Sequence, residues 1–378
     1  MHYTYPDPLD RGFLIKSIDK VMKKLVYLIA IIGLVSCQQQ TQQNKEDEQK
    51  LTIQGEAQGT TYSIVYYPKS DTITKHEVDS ILADIDLSLS TWEPASLIST
   101  LNNSDSTEIV FEDYNGYFTD MVRYSREVYN VTEGAFDPTV GPLVNAWGFG
   151  FKNRDEITPE KIDSLMQYVG LSYDNIRLTR FDDRNTIDPK RILVKAKKGI
   201  QFDFNAIAQG YSVDVLGNYF DLKNVDSYLI EVGGEMKAKG TKPSGVFWKV
   251  GIDKPVENAE ERKLSAIVEV KNEAVATSGN YRKFYVKDGE KYAHTLDPKT
   301  GYPVKHNLLS ATVLADECWK ADAFATAFMV MGTERAIKFL ESHKDLGLEV
   351  YLISAAENES YETYITESLK KKIEELSE

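Results

Sequence analysis

The sequence predicts an α+β fold, a single domain of mainly antiparallel sheet with helices inserted between its strands. Three observations carry that reading. Helical and strand periodicities interleave along the chain without the strict alternation that a parallel, doubly wound sheet requires. From Leu51 onward there is no second linker, no low-complexity tract and no internal repeat. Neither a G-x-G-x-x-G nor a Walker sequence occurs, so a nucleotide would be held by means other than those of the dinucleotide-binding and P-loop folds.

Composition bounds the function classes. Apolar side chains make up 42% of the 378 residues and aromatics 11%, ample for a packed core. A formal charge of -14 argues against nucleic acid and against broad binding to anionic membrane surfaces. Any phosphate-bearing ligand then needs a cation or backbone amides to hold it. Cys37 and Cys318 are too few for a disulfide framework or a cysteine-based metal site.

Taken in chain order, the first element is an address. Met22-Lys23-Lys24 precedes an apolar run over 25–35 and then Ser36-Cys37, the pattern of a secretory signal. The run is too short to span a bilayer of roughly 30 Å. Leu34-Val35-Ser36-Cys37 resembles the bacterial lipobox, in which the cysteine is diacylated and becomes the new N-terminus. An ordinary signal with an incidental cysteine is the competing reading, and the polar stretch that follows favours lipidation. Residues 1–36 thus read as a signal peptide, with 1–21 as a mis-called extension before the natural start at Met22. Residues 37–50 read as a lipidated cysteine and a flexible tether without apolar residues, reaching on the order of 20 Å. Residues 51–378 form the folded domain. Loss of 1–36 removes five basic and three acidic groups and moves the charge from -14 to -16.

Within the domain, alternation at Tyr62, Ile64 and Tyr66 predicts a half-buried strand. Thr74-Lys75-His76-Glu77 is a capping box, and Val78, Ile81, Leu82, Ile85 and Leu89 share one helical face behind it. Thr158-Pro159 opens another helix, with Ile162, Leu165, Met166 and Val169 apolar and Gly170 as its stop. A less regular strand is expected over 192–204, and short β-rich runs at 228–232, 247–252, 266–270, 310–314 and 349–353.

Five stretches depart from amphipathic patterning. The first, from Ala135-Phe136-Asp137-Pro138 through Gly141-Pro142 to Trp147-Gly148-Phe149-Gly150, is stiffened by prolines and also reads as a rigid turn with buried aromatics. In the second, Asp203 to Tyr211, a strand ends and a helix begins near Ala206, so helix-terminal amides face a ligand. Small residues at Ala206, Ala208 and Gly210 would let a ligand come close to the backbone, and tight helix–sheet packing explains them as well. The third is Glu231-Val232-Gly233-Gly234-Glu235, whose glycine pair marks a bulge or a close approach. The fourth joins Thr277-Ser278-Gly279-Asn280-Tyr281 to His294-Thr295-Leu296-Asp297-Pro298-Lys299-Thr300-Gly301-Tyr302-Pro303, a good turn sequence led by one of only five histidines. In the last, Ala321 to Phe328, Asp322 and Thr326 lie i,i+4 in a buried helix, a hard-oxygen pair that suits Mg²⁺. Asp322 as a helix N-cap is the alternative.

In this order the segments resemble the ApbE family, the FAD:protein FMN transferases. The likeness runs from Gly59-Thr60-Thr61-Tyr62 to about Gly332 and takes in Ser90-Thr91-Trp92 and Ser96 to Asn102. It implies a T-fold-like core and an extracytoplasmic, lipid-anchored location facing the periplasm, with the inner membrane favoured. By resemblance, FAD is contacted at Trp92, Ala135, Phe136, Asp137, Asp203, Gln209 and His294. Mg²⁺ falls to the Ala206 carbonyl, Asp322 and Thr326, with the Ala325 carbonyl a further ligand. The family usually has lysine at Gln209 and often methionine at Gln58, so one positive charge near the phosphates is missing here.

The activity implied is transfer of the FMN moiety of FAD to a threonine of an acceptor protein, with AMP released. His294 is the first candidate for taking the threonine proton and Asp297 the second. The acceptor implied is a flavin-bearing subunit of a membrane redox complex, of the sodium-pumping quinone reductase or Rnf type. An FAD pyrophosphatase yielding FMN and AMP, and a non-catalytic FAD-binding lipoprotein, are the rival readings.

Overall fold

Local sequence signals lay down most elements of the computed structural model. It describes residues 50–69, 72–150, 156–180, 189–256, 263–280, 284–287, 290–356 and 360–376, with 284–287 and 290–293 by backbone only. The expected signal sequence and the lipidation site Cys37 lie outside the described residues. Residues 51–242 and 246–378 make one compact unit.

A hairpin of β1 (Leu51–Ala57) and β2 (Thr60–Tyr66) leads to α1 (Lys75–Leu89). The predicted capping box closes this helix in both directions, with Glu77 N–H donating to Thr74 Oγ1 (3.3 Å) and Thr74 N–H to Glu77 Oε2 (2.8 Å). Val78, Leu82, Ile85 and Leu89 are buried as expected. There follow α2 (Leu97–Asn102), β3 (Glu108–Glu112), α3 (Tyr117–Val131), α4 (Gly141–Trp147) and α5 (Pro159–Met166). Thr158 caps α5 through the Lys161 amide, but the helix stops at Met166, so Val169 and Gly170 lie beyond it.

The strand expected over 192–204 is shorter. After β4 (Ile176–Arg180), β5 covers Lys190–Lys195 and the chain then leaves the ladder. Side chains take over there. Lys195 is fully buried and donates to the carbonyls of Leu101 (2.9 Å) and Ile200 (3.4 Å), and Asn102 exchanges two hydrogen bonds with the Phe202 backbone. Next, α6 (Ala208–Leu222) begins two residues after the expected start. The pair β6 (Tyr228–Val232) and β7 (Glu235–Lys239) is joined by Gly233-Gly234, which resolves the expected bulge as a two-residue hairpin turn. Both glycines have positive φ (66° and 111°), which the tight turn requires.

The remaining elements are β8 (Trp248–Asp253), β9 (Leu264–Val270), β10 (Glu273–Gly279), β11 (Phe284–Lys287), β12 (Glu290–Ala293) and β13 (Leu308–Ala315). Then come α7 (Cys318–Met331), α8 (Thr333–Ser342), β14 (Glu349–Ala355), β15 (Tyr361–Ile365) and β16 (Ile373–Glu375). Asp322 is therefore not an N-cap, because α7 starts at Cys318 and carries Asp322 in its second turn.

Eight strands form one sheet in the order β1-β2-β6-β7-β10-β13-β14-β15, and every described pairing is antiparallel, as the sequence predicts. Alternation along the central strands supplies both faces. Val313, Val350 and Leu352 pack with α7, while Leu314, Tyr351 and Ile353 pack with Trp248, Val250 and Val268 of the small sheet β16-β9-β8. A third small sheet, β3-β5-β4, closes over the apolar side of α3. Apolar nearly all round, α7 is buried against β10, β13 and α6, where a helix of that character belongs.

Candidate active site

Asp322 is the anomaly in that helix. Its carboxylate is 5% exposed and accepts one hydrogen bond among the described residues, from Gly210 N–H at 3.0 Å. Burial pushes it up to about 7, against the pull of the Gly210 amide. Among the described residues no lysine or arginine pairs with it, and an unpaired charge in such surroundings costs several kcal/mol. One turn on, Thr326 Oγ1 lies 3.1 Å from Ser278 Oγ of β10.

Gly210 makes the Asp322 contact possible. A methyl group there would stand 2.4 Å from the Cys318 carbonyl and 2.8 Å from Asp322 Cβ, so only glycine lets α6 and α7 touch. Because the Gly210 amide serves Asp322, the Ala206 carbonyl four residues earlier has no helical partner among the described backbone hydrogen bonds. Among the described residues no three acidic, imidazole or thiol groups gather to hold a metal. A mixed set does fit Mg²⁺: one charged carboxylate at Asp322, the Thr326 hydroxyl and the Ala206 carbonyl, with further positions left to water and phosphate. The Ala325 carbonyl fits less freely, since it belongs to the ladder inside α7.

The other stretches join this pair in a closed circuit. Asp203 N–H donates to Pro138 O (2.7 Å), tying the start of α6 to the Asp137 loop. Asp203 Oδ1 accepts from Asn205 N–H (2.9 Å), and burial raises its carboxyl. Gln209 leans on the glycine hairpin, its Nε2 lying 2.6 Å from where a Gly233 Cβ would stand, and Gln58 Nε2 donates to Ser212 Oγ on the same helix (2.6 Å). Beyond Ser278, Asn280 Oδ1 accepts from Thr295 Oγ1 (2.6 Å), next to His294. His294 is partly buried and meets Phe149 edge-on, with ring centroids 6.4 Å apart. Trp147 Nε1 donates to Gly301 O (2.9 Å), which returns the circuit to the first loop.

In that loop Ala135, Phe136 and Asp137 are all buried. Asp137 Oδ1 accepts from Thr139 N–H (2.8 Å) and Thr139 Oγ1 (2.6 Å), and Thr139 accepts in turn from Gly170 N–H (2.7 Å). Burial outweighs these bonds and pushes Asp137 up to about 6. A raised carboxyl pKa means the folded state holds the proton more tightly than the unfolded chain, so its contribution is complete below about pH 4 and is lost as pH rises through 6. Stability measured by urea unfolding is expected to fall by up to about 3 kcal/mol over that window through this group. Asp137→Asn keeps the Oδ1 acceptor and loses this slope; equal slopes in the two proteins would remove Asp137 as its source.

Asp297 lies in the His294 turn, where Oδ1 accepts from Lys299 N–H (2.8 Å) and the backbone carbonyl accepts from Gly301 N–H (2.8 Å). Its visible work is to shape the turn. Trp92 is 62% exposed and its N–H donates to Ser90 Oγ (3.3 Å); Ser96 Oγ donates to Ser90 O (2.7 Å), and α2 ends at Asn102, which pairs with Phe202. Sequence reasoning singles out Gly210 only as a small residue that admits a ligand, not as the amide that serves Asp322, and it overlooks Ser278 as an individual participant. It also missed the buried Asp214–Lys237 pair (2.8 Å), beside which Asp214 Oδ2 accepts from Trp319 N–H (2.8 Å) at the start of α7.

It is among flavin transferases that this fold and site find their likeness. Residues 58–352 match the ApbE family. The chain is 34% identical over 351 residues to the FAD:protein FMN transferase of Haemophilus influenzae, covering 89% of this chain and 95% of that protein. It is 33% identical over 326 residues to that of Vibrio cholerae, covering 85% and 91%. The structure of the flavin transferase ApbE from Vibrio cholerae superposes with a TM-score of 0.72 at 30% identity, covering 85% of this chain and 99% of that one. The flavinyl transferase ApbE of Pseudomonas stutzeri, in its apo form, gives 0.72 at 31% identity, covering 85% and 96%. The chain belongs to the ApbE family.

Proposed function

We propose that this protein transfers the FMN moiety of FAD to a threonine hydroxyl of an acceptor protein and releases AMP. The observation that carries the reading is the closed circuit, which draws the Asp137 loop, the start of α6, the Asp322–Thr326 pair and the His294 turn around one locus from positions far apart in sequence. The acceptor oxygen bonds to the FMN-side phosphorus as the bond from that phosphorus to the bridging oxygen breaks, and the bridging oxygen leaves with AMP. His294 accepts the hydroxyl proton. The turn shaped by Asp297 holds the imidazole in place, and the Asp137 and Asp203 loops orient the dinucleotide. The first amides of α6 are largely taken, Ala208 N–H by Phe204 O, Gly210 N–H by Asp322 and Tyr211 N–H by Ile207 O, so they add little at the phosphates. With Gln209 neutral, a Mg²⁺ held by Asp322, Thr326 and the Ala206 carbonyl, with Ala325 a further ligand, would supply most of the neutralisation of the pyrophosphate.

We also propose that residues 1–36 are removed and that lipid on Cys37 holds the domain on the periplasmic face of the inner membrane through the tether 38–50. Among the described residues no helix is long and apolar enough to cross a membrane. That placement suits an acceptor subunit of a sodium-pumping quinone reductase or an Rnf-type complex.

The test is to mix the protein with FAD, Mg²⁺ and such a subunit and to look for a covalent fluorescent band. FMN and AMP without a labelled acceptor would make the protein a pyrophosphatase, and bound but unaltered FAD would make it a carrier. His294→Ala is expected to slow transfer by about 10²–10⁴-fold. Transfer at the wild-type rate would move the base elsewhere.

A further inference from the structure

A threonine inside a helix ordinarily spends its proton on the carbonyl four residues back. This protein does so elsewhere: Thr132 Oγ1 donates to Val128 O (2.6 Å), Thr100 Oγ1 to Ser96 O (3.0 Å) and Ser212 Oγ to Ala208 O (2.8 Å). Thr326 lies in the middle of α7 and departs from that habit. Its hydroxyl is instead turned across to β10, 3.1 Å from Ser278 Oγ, where by geometry either oxygen can donate.

We infer that Ser278 is a positioning residue, which accepts the Thr326 proton and so holds the Thr326 lone pairs toward the cation. The inference rests on the Mg²⁺ reading above. A hydroxyl has one proton and two lone pairs, and an oxygen that faces a dication can only donate its proton elsewhere. That fixes the direction of the bond as Thr326 to Ser278. Strand and helix are also independently braced here. Ser278 sits in the ladder opposite Ala311, and Asn280, two residues on, is anchored by its amide to Leu309 O (3.0 Å) and receives the Thr295 hydroxyl. Ser278 therefore presents its oxygen from a fixed edge, and the same short segment spans from the metal-facing helix to the His294 turn.

Outer hydrogen bonds of this kind are worth about 10–100-fold in metal affinity. Binding of Mn²⁺ as a spin probe to the FAD-loaded protein should weaken by about tenfold or more in Ser278→Ala and return to within about threefold in Ser278→Thr. FAD binding without metal should not change in either variant. In a Thr326→Val background, Ser278→Ala should add no further loss, since the hydroxyl it serves is already gone. Unchanged Mn²⁺ affinity in Ser278→Ala, failure of Ser278→Thr to rescue, or additive losses in the double variant would each overturn the inference. Asp322→Ala, run in parallel, separates the two levels. Mn²⁺ binding that survives Asp322→Ala sinks the Mg²⁺ reading itself, whereas binding lost there but intact in Ser278→Ala sinks only the role of Ser278.

Discussion

Asp322→Ala is expected to abolish flavin transfer, lowering the rate by at least about 10³-fold, while the protein stays folded. Two stability effects oppose each other. The variant leaves the buried Gly210 amide without its acceptor, which costs about 1–3 kcal/mol. It also removes a carboxylate that burial holds up at about 7 and that no lysine or arginine among the described residues balances. The fold thus loses little, and the loss falls on function. Asp322→Asn sharpens the point, because its amide oxygen still accepts from Gly210 but the charge is gone. Both variants should fail in a gel assay for covalent flavin. Full activity of Asp322→Ala in excess Mg²⁺ would refute the metal assignment.

The largest stability effect is expected at Lys237. Its ammonium lies 14% exposed between Asp214 (2.8 Å) and Glu317 (2.6 Å). Burial works against the charge, but the two carboxylates outweigh it and hold the lysine above its usual range. Lys237→Met strands Asp214, a 4% exposed carboxylate whose other oxygen holds the Trp319 amide at the first turn of α7. Removing one partner of such a pair costs about 3–5 kcal/mol. The denaturation midpoint should fall accordingly. Asp214→Asn placed on Lys237→Met removes the stranded charge while keeping an acceptor for Trp319, and should recover a large part of the loss. A midpoint within error of wild type in Lys237→Met would show that the pair contributes nothing.

Legibility from sequence divides by the reach of the interaction. The capping box of α1 and the Thr158 cap of α5 were readable because all their atoms lie within one turn of helix. The i,i+4 spacing of Asp322 and Thr326 was readable for the same reason. Starts of α6 and α7 were not, since Ile207 and Glu317 precede them without any side-chain cap. Hence the sequence points to a helix start near Ala206 and allows Asp322 to be read as a cap. The strand over 192–204 was overextended because its apolar alternation continues after Lys195, whereas the bonds that end the ladder come from Leu101 and Asn102, about a hundred positions away. The circuit itself has the same character: Gly210 meets Asp322 across 112 residues, and Trp147 meets Gly301 across 154. Only the collinear order of the segments, through their family likeness, announced that they belong together.

With no side chain between them at Gly210, α6 and α7 are in contact backbone to backbone and have no room to slide. The two helices therefore move as one block, and any give near Asp322 has to come from the loops around it and not from a shift of α6 against α7.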